Sequence, residues 1–275
     1  MSAGSLTSTG HTIRSMNAPT LATTLTTARD PFNVAGDDRG YRGQKLRPLT
    51  ALRAFGRLVR DKEDTRQVFE IMSALTGRST PRGYGRLTRV AGSVAYTRDE
   101  LARKFADPQW LAQFAPGTVG AAYREFMTRE NLSVEALRRD NAAVTPMVEA
   151  EHVFAWYARR MRDIHDVWHV LTGFGRDALG EACVVAFSYA QTGNKGFGFI
   201  GLMGALRLSA RGYPIKRAVW QAYRMGRRAA WLPAQDYAAL FAVPLEEARS
   251  CLRITTPTDY LSIPQEVRGG LTFAH

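Results

Sequence analysis

Residues 162–190 read RDIHDVWHVLTGFGRDALGEACVVAFSYA. His165, Asp166 and His169 fall within five residues, and Glu181 follows twelve residues after His169, beyond a glycine-bearing turn. The chain has 5 histidines in all, so two of them four apart is a concentration. Upstream, residues 147–171 (MVEAEHVFAWYARRMRDIHDVWHVL) contain no Pro or Gly. Tyr157, Met161, Ile164, Trp168 and Leu171 recur there at helical spacing, which predicts one long helix. Thr172, Gly173 and Gly175 stop it. A second apolar helix is predicted from near Ala178, with Glu181 in its first turn.

On a helix, positions i and i+4 share a face about 5–6 Å apart at Cβ, so His165 and His169 can reach one ion. Asp166 stands three before His169 and either joins them or orients a histidine from behind. If the two helices pack antiparallel, Glu181 faces the pair across the hairpin. Two imidazoles with one or two carboxylates suit zinc or a similar transition ion. The H-E-x-x-H pattern of zinc peptidases is not matched.

The rest of the chain sets the frame. The 275 residues, 45% of them hydrophobic, suffice for one core. No apolar run reaches membrane-spanning length. Cys183 and Cys251 are far apart and imply no disulfide framework. Residues 1–45 are Ser/Thr-rich with Asp30 as their first acid, which predicts a flexible arm, a bacterial extension rather than an arginine-rich transit peptide. Residues 46–257 read as one helical domain. Within it, two helices break near Asp61–Asp64, and Gly77 closes the second. Residues 78–98 are expected to be an exposed loop. Thr118 is expected to cap a helix whose Gly120 allows a close contact. Residues 132–146 read as a polar connection, and 258–275 as a poorly ordered tail. No strand pattern, repeat or phosphate-binding glycine loop occurs.

The net charge of +12 calls for an anionic partner. From Ala182 to Gln235 there is no Asp or Glu. This window contains a helix predicted over 215–232, with Ile215, Val219, Ala222, Gly226 and Ala230 as its core stripe and Arg217, Trp220, Arg224, Arg227 and Trp231 on another side. Trp mixed with Arg suits a membrane interface or another anionic partner, the plainer alternative being a solvated face with half-buried tryptophans. Nucleic acid rests on net charge alone and is not expected.

These motifs resemble the coenzyme Q (ubiquinone) biosynthesis family defined by H-D-x-x-H-x11-E. The spacing is kept in His165-Asp166-x-x-His169 and Glu181. Arg159–Asp163 is similar to the family's basic lead-in, and Gly180-Glu181 to its G-E pair. Pro116–Gly120 with Tyr123 resembles its P-x-G-T-x-G-x-x-Y segment, and Ala190–Gly193 its A-x-Q-T-G turn. The likeness covers about residues 48–254. It implies an all-α fold: a single helical domain around a metal-bearing helix hairpin. It implies a divalent metal, usually described as zinc, on His165, Asp166, His169 and Glu181. It further implies a prenylated benzoate or quinone intermediate in an apolar groove. The expected reaction is oxidative decarboxylation at C1, with a non-catalytic scaffold for the pathway's other enzymes as the alternative. Asp166 and Arg162 are then the catalytic candidates, with Arg162 gripping the substrate carboxylate. The competing expectation is that Arg160 and Arg162 pair with Asp163 or Asp177. Arg160, Trp220, Arg224 and Trp231 are expected to face substrate or an anionic membrane surface. The expected location is peripheral on the bacterial inner membrane, on its cytoplasmic side, or on the matrix side of the mitochondrial inner membrane. A homo-oligomer is compatible with all of this. The long N-terminal arm and Arg176-Asp177 depart from the family pattern.

Overall fold

The computed structural model describes residues 45–61, 64–90, 101–144, 152–208, 210 and 212–271. Most of the expected N-terminal arm lies outside these. The described residues are helical, with one isolated bridge between Thr118 and Pro244 and no sheet among them. In chain order the helices are α1 (Pro48–Arg60), α2 (Thr65–Leu75), α3 (Ser79–Val90), α4 (Leu101–Ala106), α5 (Pro108–Ala112) and α6 (Val119–Arg129). They continue with α7 (Val134–Val144), α8 (Val153–Asp163), α9 (His165–Thr172), α10 (Ala178–Thr192), α11 (Lys195–Arg207) and α12 (Ile215–Arg228). A 3-10 turn (Leu232–Ala234) leads to α13 (Tyr237–Leu240), α14 (Leu245–Leu252), α15 (Thr258–Leu261) and α16 (Gln265–Gly269).

The architecture follows from α10. Leu179, Cys183, Val184 and Phe187 are all fully buried, so this helix is apolar around its circumference and must be enclosed. α11 and α12 pack on it directly. Gly226 permits the second contact: a Cβ there would lie 2.7 Å from the Phe187 carbonyl oxygen and 2.9 Å from the Ala190 Cβ. The all-α expectation holds, as do the α1–α2 break and the Thr118 cap, whose hydroxyl accepts from the Ala121 N–H at 3.3 Å.

Four local expectations are corrected. The helix expected over 147–171 is two helices, with 147–151 outside the described residues. The turn tightens at Ile164 (φ −84°, ψ −6°), whose N–H is shared between the Arg160 and Arg162 carbonyls. The Trp168 N–H still reaches the Ile164 carbonyl, so the interruption is one residue long and His165 opens a fresh helix. Of the expected loop at 78–98, residues 79–90 are α3; residues 91–98 lie outside the described residues. Pro81 falls in the first turn, where a missing N–H costs nothing, and Leu87 is buried with Trp156, Tyr157 and Trp231. The expected connection at 132–146 contains α7, started by the Ser133 hydroxyl, which accepts from the Ala136 N–H at 3.3 Å. It buries Val134 and Asn141, seven residues apart on one face; 145 and 146 lie outside.

The fourth correction concerns the tail. Through residue 271 it is packed: Tyr260, Ile263 and Leu271 are buried. The Tyr260 hydroxyl accepts from the Gly175 N–H at 2.9 Å and donates to Asp177 Oδ2 at 2.5 Å. Asp177 Oδ1 in turn accepts from the Gly180 N–H and caps α10. The C-terminal segment therefore latches the turn between α9 and α10. Tyr260→Phe removes one charge-assisted bond and orphans the Gly175 N–H. Its expected cost is about 1–3 kcal/mol in urea unfolding, and a loss below about 0.5 kcal/mol would show that the latch does not hold the turn.

Candidate metal centre

The α9–turn–α10 hairpin places the motif residues together. Gly173 ends α9 in the left-handed region (φ +78°), and Asp177 begins α10 four residues later. One ligand atom each from His165, Asp166 and His169 lies within 4.8 Å of the other two. Glu181 Oε2 is 3.6 Å from His169 Nε2, and Asp166 Oδ1 is 3.6 Å from His165 Nδ1. Two ligands of one tetrahedral zinc at about 2.0–2.1 Å each stand roughly 3.3 Å apart. The spacing therefore fits a shared ion after small side-chain adjustments.

The tautomer of His169 points the same way. Its Nδ1 lies 3.1 Å from the Phe174 carbonyl oxygen, which accepts a hydrogen and leaves the lone pair on Nε2. Nε2 is buried and has no hydrogen-bond partner. A buried imidazole nitrogen that makes no hydrogen bond and faces a carboxylate fits the chemistry of a metal ligand. The His169 ring is held by stacking on Phe126, and the His165 ring by Phe197 on α11.

The electrostatics are consistent. Burial would push the Glu181 carboxyl up, but the charges of His169, then His165 and Arg176, outweigh it and hold it at about 2. Burial opposes charging of His169; Glu181 and Asp166 overcome this and raise its pKa above the ordinary value. The set therefore presents anionic oxygens to whatever cation occupies it. Tyr123 of α6 sits in the field of Asp166 and Asp163. Burial first, then those carboxylates, keep its phenol protonated well beyond the usual range.

The remaining predicted site residues scatter. Arg162 is buried and donates from Nε to Asp163 Oδ1 at 2.8 Å, the pairing named as the competing expectation. Arg160 does not face membrane or solvent. It is 5% exposed, donates to the carbonyls of Pro233 and Gln235, and stands near the rings of Trp156 and Tyr237. Trp231 is likewise buried, donating to the Gln191 carbonyl under the Arg86 guanidinium. Both are buried by partners distant in sequence: the Pro233 and Gln235 carbonyls take the Arg160 guanidinium, and Leu87, Trp156 and Tyr157 of α3 and α8 enclose Trp231, which sequence spacing cannot show. Trp220 and Arg224 are exposed on α12. Sequence reasoning missed Arg176, whose Nε reaches Glu181 Oε1 at 3.2 Å and balances the oxygen turned away from His169. It also missed Tyr260. In the sequence Arg176 stands out only as a departure from the family pattern; its place in the turn before Glu181 is the signal that could have found it.

A helical protein with histidines and carboxylates converging inside a latched hairpin is, by fold and site, a candidate metalloprotein. Residues 88–258, more than half of the chain, match the family described as Coenzyme Q (ubiquinone) biosynthesis protein Coq4, and the chain belongs to that family. It is 31% identical over 166 residues to the mitochondrial ubiquinone biosynthesis protein COQ4 homolog of Bos taurus, covering 60% of each chain. It is 28% identical over 178 residues to the Homo sapiens homolog, covering 64% of this chain and 63% of that one. These matches span under two thirds of the relatives' own length. A solved structure from Nostoc punctiforme PCC 73102, provisionally assigned to ubiquinone biosynthesis, superposes with a TM-score of 0.56 at 20% identity. That superposition covers 77% of this chain and 100% of the other, and it supports the fold. Among the described residues no helix is long and apolar enough to cross a membrane.

Proposed function

We propose that this protein acts in ubiquinone biosynthesis as a metal-dependent oxidative decarboxylase of a prenylated hydroxybenzoate, working at a membrane surface. The observation that carries the reading is the buried, unsatisfied His169 Nε2 facing Glu181, beside His165 and Asp166, in a chain of the Coq4 family. His165, His169 and Glu181 would hold the ion, with Asp166 as a fourth ligand or as the group that orients His165. Zinc is the ion this donor set suits best. A divalent ion bound there would supply Lewis-acid polarisation of the substrate's carboxylate or phenolate.

The chain's own residues do the rest. The Phe174 carbonyl fixes the His169 tautomer. Arg176 holds one Glu181 oxygen, so the other stays turned to the histidines. The protonated Tyr123 phenol is a hydrogen-bond donor beside Asp166 for a substrate oxygen. The buried Arg162–Asp163 pair adds a fixed dipole behind the site rather than a grip on the carboxylate. The net change breaks the C1–carboxyl bond and forms a C1–oxygen bond. With dioxygen as oxidant, the acid plus water plus dioxygen gives the phenol, carbon dioxide and hydrogen peroxide.

The alternative is a non-catalytic scaffold that binds prenylated intermediates beside the pathway's other enzymes. It is favoured by the exposed Trp220 and arginines of α12, which the chemistry does not use. Both readings seat the protein peripherally, on the bacterial inner membrane or on the matrix side of the mitochondrial one. Metal-loaded protein incubated under air with a prenylated hydroxybenzoate labelled in its carboxyl should release labelled carbon dioxide. Tight substrate binding without release would replace the enzyme by the scaffold.

A further inference from the structure

Away from the hairpin, the outer face of α12 carries a groove that the metal centre does not explain. Trp220, Arg224 and Arg228, four residues apart along one helix face, line it together with Arg253, which follows α14. The groove also contains Arg217 and Asp259, but these pair with each other at 3.2 Å. Its carboxylate is thereby matched. Arg224, Arg228 and Arg253 are exposed and have no ion-pair partner among the described residues. Three guanidinium groups around one concavity carry a charge that the chain itself does not balance.

Arg253 supplies the second, independent observation. It closes α14 in the left-handed region, with φ +57° and ψ +39°. The Ile254 N–H reaches back to the Arg249 carbonyl and the Arg253 N–H to that of Ser250. This is the helix-ending turn that glycine ordinarily occupies. Among the described residues only Asn131 shares a positive φ without being glycine, and Asn adopts that region readily. For the fold, arginine is a poor choice at position 253; for the groove, it is the residue that brings a guanidinium in from the far wall. Strain kept at a place where a side chain enters a concavity points to use of that side chain.

The near wall is rigid and aromatic. Trp220 is 59% exposed, yet it stacks on Tyr223, which stacks in turn on Tyr189 of α10. The indole is thus braced against the core while its outer surface stays free.

We propose that this groove binds a phosphate group, with Arg224, Arg228 and Arg253 donating paired N–H bonds to its oxygens and Trp220 covering the apolar part of the ligand next to it. Guanidinium forks match phosphate geometry, and three of them favour a doubly charged or bridging phosphate over a carboxylate. The phosphate belongs either to the headgroup of an anionic lipid or to a soluble phosphate ester. The site is separate from the metal hairpin, and the inference does not rest on the decarboxylase reading.

The test uses the full chain, vesicles of phosphatidylglycerol or of phosphatidylcholine, and glycerol 3-phosphate and pyrophosphate in solution. Binding is followed by co-sedimentation for the vesicles and by calorimetry for the soluble probes. Phosphatidylglycerol binding without soluble-probe binding assigns a lipid headgroup; soluble-probe binding assigns a free ester. Arg253→Gly should weaken whichever binds by about tenfold, the loss of one charge-assisted contact. It should also leave the melting temperature unchanged or raised, because glycine suits the left-handed turn. Arg224→Gln should weaken the same probe, and metal content should be unchanged in both variants. The proposal is overturned if no phosphate probe binds. It is equally overturned if Arg253→Gly binds as the parent does.

Discussion

His169→Ala should reduce bound divalent metal from about one ion per chain to nearly none, with affinity falling by roughly a hundredfold or more. The argument rests on what that imidazole does in three directions. Its Nδ1 is committed to the Phe174 carbonyl, so its Nε2 has nothing to meet except a cation or the Glu181 carboxylate. Its ring is packed on Phe126. It is also the largest favourable influence on Glu181, which without it keeps only His165 and Arg176 against the cost of burial. Removing it therefore deletes one ligand and loosens a second. The cavity and the lost hydrogen bond add about 1–3 kcal/mol of destabilisation, so circular dichroism must accompany the metal assay. Elemental analysis of protein purified without chelator decides the matter. A folded variant with parental metal content would remove His169 from the ligand set, and the centre with it.

Much of this site could be read from the sequence because helical spacing is a local rule. His165 and His169 had to share a face once residues 153–172 were helical, and Gly173 marked where the chain would turn. The same rule found α10, whose apolar residues run on without a polar stripe. What stayed hidden depends on contacts distant in sequence. Arg160 reads as a surface residue because arginine usually is, and Trp231 because it falls among arginines in an acid-free window. They are buried because the Pro233 and Gln235 carbonyls and the Gln191 carbonyl, 73, 75 and 40 residues away, need donors. The helical nature of residues 79–90 was masked by Pro81, Gly83 and Gly85, which ordinarily signal turns. Here Pro81 sits in a first turn, and the glycine at 83 lets the helix lie against the Tyr157 ring. The tail reads as disordered because its anchors are far away in sequence: Tyr260 lies 83 residues from the aspartate it holds, and Ile263 and Leu271 are buried against earlier helices. Four carboxylate and imidazole groups could be named in advance; the arginine and tyrosine that position them could not.

Gly180→Ala should damage fold and site together, and the reason is geometric. The backbone at Gly180 is helical, so no unusual dihedral angle is at stake. A Cβ there would instead run into the Gly175 carbonyl oxygen, with the Gly175 carbon at 2.7 Å and nitrogen at 2.9 Å. The obstacle is backbone and cannot rotate aside. Nor can it retreat freely, because the Gly175 N–H is held by the Tyr260 hydroxyl. On the other side the Gly180 N–H is held by Asp177 Oδ1 at 2.9 Å, so relieving the clash also strains the cap of α10. The helix must back away from the turn, and Glu181, the next residue, goes with it. The 3.6 Å between Glu181 and His169 is already slightly wide for one tetrahedral ion, so further opening adds to the adjustment the carboxylate must make and weakens its bond to the ion. The expected result is a loss of about 1–3 kcal/mol or more in stability, hence a fall of several degrees in melting temperature, with metal affinity falling alongside. Gly56→Ala is the matching control. It lies on an exposed face of α1 with nothing within 4 Å of a new Cβ, and should be neutral or slightly stabilising. If Gly180→Ala melts and binds metal as Gly56→Ala does, the hairpin is looser than its contacts imply, and the close approach of Gly175 and Gly180 is not what brings Glu181 to His169.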